Sequence, residues 1–181
     1  EEVQEKALLI GNAETLAKPF FVSAFKEKIT KMQIGQSLEQ ENLEEINHIS
    51  IEGLTLLIAE DNEINAEILA ELLDIEGATY KIVGNGQLAL ECFNNAEIGE
   101  FDAILMDVQM PVMNGYEATR KIRELKRPDS QKIPIIAMTA NAFAEDVKEA
   151  LDSGMNVHVS KPIDMELLKK SINQCLQRKE S

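Results

Sequence analysis

From Leu54 to the end of the chain, two hydrophobic periodicities alternate, and this alternation is what most restricts the fold. Short apolar runs of strand length at 54–59, 79–83, 103–106, 135–138 and 157–160 each lead into a stretch with helical spacing. The first helical stretch, 63–76, carries Ile64, Ile68, Leu69, Leu72 and Leu73 and closes at Gly77. Further helices are predicted over 87–94 and 116–126, around Phe143, Val147, Ala150 and Leu151 up to Gly154, and over 164–178. Five strand–helix units in about 125 residues imply an α/β domain, with a doubly wound five-stranded parallel sheet. The chain is 44% hydrophobic with no Trp and few aromatics, so its core must be largely aliphatic.

A parallel sheet gathers the carboxyl ends of its strands on one edge, where open α/β folds place their sites. Glu60 and Asp61 follow the first strand, Asp107 the third, Thr139 and Ala140 the fourth, and Lys161 and Pro162 the fifth. After Asp107 the chain runs through Pro111 and the Asn114–Gly115 pair, all turn formers. Taken alone, Asp107 reads as a strand-end residue capping its own loop. Together the three carboxylates would repel one another unless a cation joined them. Mg²⁺ suits such a set, being a hard cation held by one or two carboxylates with water and phosphate oxygens. Lys161 adds a point charge and Thr139 a hydroxyl, each able to meet a phosphoryl oxygen. A carboxylate so surrounded can accept a phosphoryl group, a reaction that depends mainly on position and charge neutralisation.

Other classes are less well served. The chain carries 18 Lys and Arg against 32 Asp and Glu, a net charge of −14, which argues against nucleic acid as a partner. No apolar run is long enough to span a bilayer and no signal-peptide pattern opens the chain, so no membrane contact is expected of this stretch. The two cysteines, Cys92 and Cys175, lie in apolar helical patterns and read as reduced core thiols, which fits a cytoplasmic protein. A flavin-type cofactor binder would need a hydroxyl- and glycine-rich loop where Glu60–Asp61 stands. An Asp-nucleophile phosphatase would need a second Asp where Gln109 stands.

The runs 57–62 (Leu-Ile-Ala-Glu-Asp-Asn) and 105–111 (Leu-Met-Asp-Val-Gln-Met-Pro), with Asn114–Gly115, Met138-Thr139-Ala140 and Lys161–Pro162, resemble the receiver domain of two-component response regulators. More narrowly, they resemble the receiver of a hybrid sensor histidine kinase, over about residues 54–178. The resemblance implies a flavodoxin-like (β/α)5 fold. It implies that Asp107 is the phosphoacceptor, charged from a phosphohistidine on a histidine kinase core or phosphotransfer domain. Glu60, Asp61, Asp107 and the backbone carbonyl of Gln109 would hold Mg²⁺. Thr139 would be the switch hydroxyl, Lys161 the phosphate partner, and Pro162 would follow a cis peptide bond. Gln109, Ala140 and Asn141 would tune dephosphorylation, so the domain would catalyse both the gain and the loss of its own phosphoryl group. The face around the fourth helix, fifth strand and fifth helix would switch, with receiver self-association as a further expectation. His158 stands where the family usually has Tyr or Phe; a rotamer switch and simple packing are both open to it. The competing reading is a pseudo-receiver that binds partners without accepting phosphate. No kinase core is recognisable in this stretch, so a hybrid-kinase parent, membrane-anchored or not, would carry that core upstream of residue 1.

Residues 2–29 align without a gap with 145–172, and eight of the 28 pairs are identical, among them Gly11/Gly154, Lys18/Lys161 and Pro19/Pro162. This suggests that residues 1–29 are the closing helix–strand–helix of a second receiver-like domain, against the alternative of chance similarity. Residues 30–53, rich in Glu, Gln and Asn, read as a linker, with His48 a solvated residue in it.

Overall fold

The computed structural model describes residues 49–140 and 144–177. The helix–strand–helix expected over 1–29, the part of the 30–53 linker up to residue 48, Asn141, Phe143 and Arg178 lie outside them.

Five strands form one parallel sheet: β1 (Thr55–Ala59), β2 (Thr79–Val83), β3 (Ala103–Asp107), β4 (Ile135–Thr139) and β5 (Val157–Ser160), in the order β2-β1-β3-β4-β5. They alternate with α1 (Glu63–Ile75), α2 (Gly86–Asn95), α3 (Gly115–Glu124), α4 (Ala144–Asp152) and α5 (Met165–Gln177). All residues of the two central strands β3 and β4 are buried, which explains why their sequences are continuous apolar runs rather than alternating ones. Strand pleat sends alternate side chains to opposite faces. Leu57, Ala59, Ile104 and Met106 pack with Ala89 and Phe93 of α2, Ala118 and Ile122 of α3 and Ala150 of α4. Leu56, Ile58, Leu105 and Met138 pack on the other face with Leu69 and Leu73 of α1 and Leu168 and Ile172 of α5. Each of the Leu, Ile, Met and Phe side chains among them contributes roughly 1.5–3 kcal/mol by leaving water.

The loops at the carboxyl edge end a strand and start a helix within a few residues. Asn62, Asn85 and Asn114 each stand at an N-cap, their side-chain oxygens accepting the N–H of Ile64 and Asn65, of Leu88, and of Glu117. Asp164 does the same for Leu167. These short capped turns hold the strand-end side chains of the site close to the sheet.

Three details differ from the sequence pattern. The apolar stripe of α1 is wider than its buried face: Leu69 and Leu73 are buried, but Ile64 is 67% and Ile68 53% exposed. Ile51, which composition assigns to the linker, is fully buried in the core with Leu73 and Ile172, so the packed unit reaches back beyond Leu54. Helix α3 ends at Glu124, because Leu125 turns extended (φ −62°, ψ 140°) and lets the loop to β4 begin. Cys92 and Cys175 are not joined in a disulfide, and among the described residues no helix is long and apolar enough to cross a membrane.

Candidate functional site

The sheet register decides what meets at the carboxyl edge. Ala59 lies beside Met106 and Asp107 beside Met138, so the residues just after β1 face the end of β3. Glu60 and Asp107 are 4% and 5% exposed, while Asp61 stands out at the rim. One oxygen from each of these three carboxylates lies within 4.8 Å of the others. The Lys161 ammonium reaches between the two buried ones, 2.5 Å from Glu60 Oε2 and 2.6 Å from Asp107 Oδ2. The other Asp107 oxygen, Oδ1, accepts the Gln109 N–H at 3.0 Å.

These contacts pull the site's protons in opposite directions. Burial pushes the Asp107 carboxyl above its ordinary range; hydrogen bonds from Lys161 and the Gln109 N–H oppose that rise, and Glu60 adds to it. For Lys161, burial alone would lower the value, but hydrogen bonds to Asp107 and Glu60 outweigh it and hold the ammonium above its usual range. The pocket is therefore a dense negative centre spanned by one cation. It has more carboxylate than one lysine neutralises, which is the donor set a hard divalent ion fits.

The remaining candidates fall around this centre. Thr139 closes β4 and is buried, with its carbonyl accepting the Lys161 N–H at 2.8 Å. Ala140 and Gln109 are exposed beside the opening, and the Lys161–Pro162 peptide bond is cis. His158 is half-buried on β5 opposite Ala137, with β4 between it and the strand that carries Asp107. Asn141 lies outside the described residues.

One supporting residue escaped the sequence reading, and another was read there only as part of a turn. Asn65, in the first turn of α1, donates from Nδ2 to Glu60 Oε1 at 3.0 Å and so orients the carboxylate from the side away from Lys161. Its position, one helical turn after the Glu60–Asp61 pair, was the available signal. Gly115 approaches the backbone of Asp107 so closely that a Cβ there would run into the Asp107 carbonyl oxygen. The Asn–Gly pair is thus more than a turn former: it lets α3 start against the strand end that carries Asp107.

Comparison with known proteins agrees with this geometry. The family model described as "Response regulator receiver domain" matches residues 56–173. Hybrid signal transduction histidine kinase I of Dictyostelium discoideum is 40% identical over 120 residues, covering 65% of this chain and 7% of that protein. The peroxide stress-activated histidine kinase mak1 of Schizosaccharomyces pombe is 32% identical over 148 residues, 81% of this chain and 9% of that protein. The chain thus spans less than a tenth of the length of these two relatives. Among solved structures, the receiver domain of the sensor histidine kinase PA1611 from Pseudomonas aeruginosa, with magnesium in its active-site cleft, has a TM-score of 0.62 at 34% identity and covers 69% of this chain and 98% of its own. The Saccharomyces cerevisiae receiver domain of Ssk1, solved with the histidine phosphotransfer protein Ypd1, has a TM-score of 0.61 at 33% identity, covering 70% and 92%.

Proposed function

The chain belongs to the response regulator receiver domain family, and from that membership and the pocket geometry we propose that Asp107 accepts a phosphoryl group from a phosphohistidine. Receiver function in two-component phosphorelay signalling follows from the family; the residue roles are our reading. The observation that carries it is the convergence of Glu60, Asp61 and Asp107 with Lys161 on the carboxyl edge of the sheet.

In this reading a carboxylate oxygen of Asp107 attacks phosphorus, a P–O bond forms, the P–N bond to imidazole breaks, and the imidazole leaves with the electron pair. Lys161 follows the transferred charge from carboxylate to phosphoryl oxygen, already held within hydrogen-bond distance of Asp107. The Gln109 N–H fixes the rotamer of the Asp107 carboxylate before transfer. The Thr139 hydroxyl donates to a phosphoryl oxygen, and Asn65 keeps Glu60 turned inward. Glu60, Asp61, Asp107 and the Gln109 carbonyl would hold Mg²⁺, which when bound supplies the positive charge that phosphoryl oxygens and crowded carboxylates require. The magnesium in the PA1611 receiver supports this assignment.

The hydrogen bond from Lys161 N–H to the Thr139 carbonyl ties the ends of β4 and β5 together. A new dianion drawing on both side chains therefore acts on the edge that carries α4, β5 and His158, and biases it between two arrangements. We assign the donor to a phosphohistidine protein, as the complex of Ypd1 with a receiver 33% identical to this chain supports. The test is transfer from phosphorylated Ypd1 in Mg²⁺. Label should move to the wild type, fail to move to Asp107→Asn, and stop in EDTA; label on Asp107→Asn at the wild-type rate would exclude Asp107 as acceptor.

A further inference from the structure

Glu60 has the longest side chain of the three carboxylates in the acidic centre, and its two oxygens are held unequally. Oε1 accepts the Asn65 Nδ2–H at 3.0 Å and the Asn62 N–H at 3.4 Å. Oε2 accepts the Lys161 ammonium at 2.5 Å. A carboxylate has about four lone-pair sites, two on each oxygen. Both sites of Oε1 are therefore taken by donors from the start of α1, whereas Lys161 takes one of the two on Oε2.

The stronger Oε1 donor is fixed by the helix itself. The Asn62 side chain caps α1, its Oδ1 accepting the N–H of Ile64 at 3.0 Å and of Asn65 at 3.1 Å. The backbone of Asn65 is thus tied to the residue whose own N–H meets Glu60. Asn65 is exposed, while Glu60 is 4% exposed. The amide therefore adds little to the core; what it fixes is the plane of a buried carboxylate. That restraint matters for a Glu, because its last torsion is broad and roughly two-fold. Without the amide the carboxylate could turn and bring both oxygens toward Asp61 and Asp107.

Hard cations differ in what they require of such a group. Ca²⁺ takes about six to eight oxygens in flexible geometry, often two from one carboxylate. Mg²⁺ is smaller, demands a near-ideal octahedron and keeps several of its waters. A Glu with one free site on one oxygen suits the second ion; a Glu free to present both oxygens suits the first.

We propose that Asn65 is a positioning residue that sets cation selectivity: by occupying Glu60 Oε1 it limits Glu60 to one oxygen and so favours Mg²⁺ over Ca²⁺. This deepens the Mg²⁺ assignment made above and rests on it. It assigns Asn65 no contact with the cation.

The test compares wild type, Asn65→Ala and Asn65→Gln, each titrated with Mg²⁺ alone and with Ca²⁺ alone. Kd is read from the backbone amide shifts of Asn62 and Gln109 by NMR. Wild type should bind Mg²⁺ more tightly than Ca²⁺. In Asn65→Ala the Kd for Mg²⁺ should rise roughly tenfold as the carboxylate loses its orientation, while that for Ca²⁺ stays within about threefold because a second oxygen offsets the loss. Asn65→Gln keeps an amide donor and should keep the preference for Mg²⁺. An unchanged ratio of the two Kd values in Asn65→Ala would overturn the proposal, and equal weakening of both cations counts as unchanged. So would a wild type without preference, or Asn65→Gln behaving like Asn65→Ala. A folded wild type that binds neither cation would overturn the Mg²⁺ assignment, and the selectivity role with it.

Discussion

Asp107 is placed where its charge is costly before any ligand arrives. A carboxyl whose folded value is raised above its unfolded value weakens the fold once ionised, and the lost stability returns as pH falls through the raised value. Asp107→Asn should therefore have a higher Tm than wild type at neutral pH without metal, and the difference should shrink in acid; an unchanged or lower Tm would contradict the electrostatic account. Gly115→Ala should do the opposite, since its Cβ would displace the Asp107 backbone itself, and loss of both Tm and phosphoryl acceptance is expected. Thr119 is fully buried with no hydrogen-bond partner for its hydroxyl, so Thr119→Val should stabilise by about 1 kcal/mol in a denaturant titration. At this scale, Asp107 and Lys161 were legible because strand ends are legible from apolar runs. Asn65 was not. Its amide meets Glu60 where Lys161, distant in the chain, holds the other oxygen of that carboxylate.

Elements are fixed by caps and by what they bury. Asn114 was read only as a turn former in the sequence, yet it, Asn62 and Asn85 each satisfy a helix N-terminus at the carboxyl edge. Asn114→Ala removes the oxygen that receives the Glu117 N–H and should cost about 1 kcal/mol, measurable by thermal unfolding. The stripe on α1 was legible in period but not in width, because periodicity cannot tell a residue facing the sheet from one a turn further round, as Ile64 and Ile68 show. On the opposite edge, Arg127 lies 4.2 Å over the Phe93 ring, donates to the Phe93 carbonyl and pairs with Asp129 at 2.6 Å. The hydrogen bonds from Arg127 hold the Asp129 carboxyl below its ordinary 3.8. An acid with a lowered folded value contributes stability above its unfolded value and loses it as pH falls through the folded one. Asp129→Asn should therefore flatten the acid limb of the stability curve below about pH 4. A limb of unchanged slope would show that the pair is not what titrates.

The whole domain was readable in outline because five alternating segments leave a parallel sheet few ways to be covered. Strand order was not in the pattern; it emerges from the crossovers that set β1 and β3 side by side and bring Glu60 to Asp107. The backward reach of the core to Ile51 also escaped, since one isoleucine in a polar stretch carries no periodicity. What the assembled sheet creates is a single acidic centre that no element owns, and the central claim is that this centre makes Asp107 a phosphoacceptor. The most direct measurement is the intact mass of the protein after acetyl phosphate, with Mg²⁺ or with EDTA, for wild type and Asp107→Asn side by side. The account predicts one phosphoryl group on the wild type in Mg²⁺ alone and none on Asp107→Asn. An unmodified, folded wild type in Mg²⁺, or equal modification of Asp107→Asn, would contradict it.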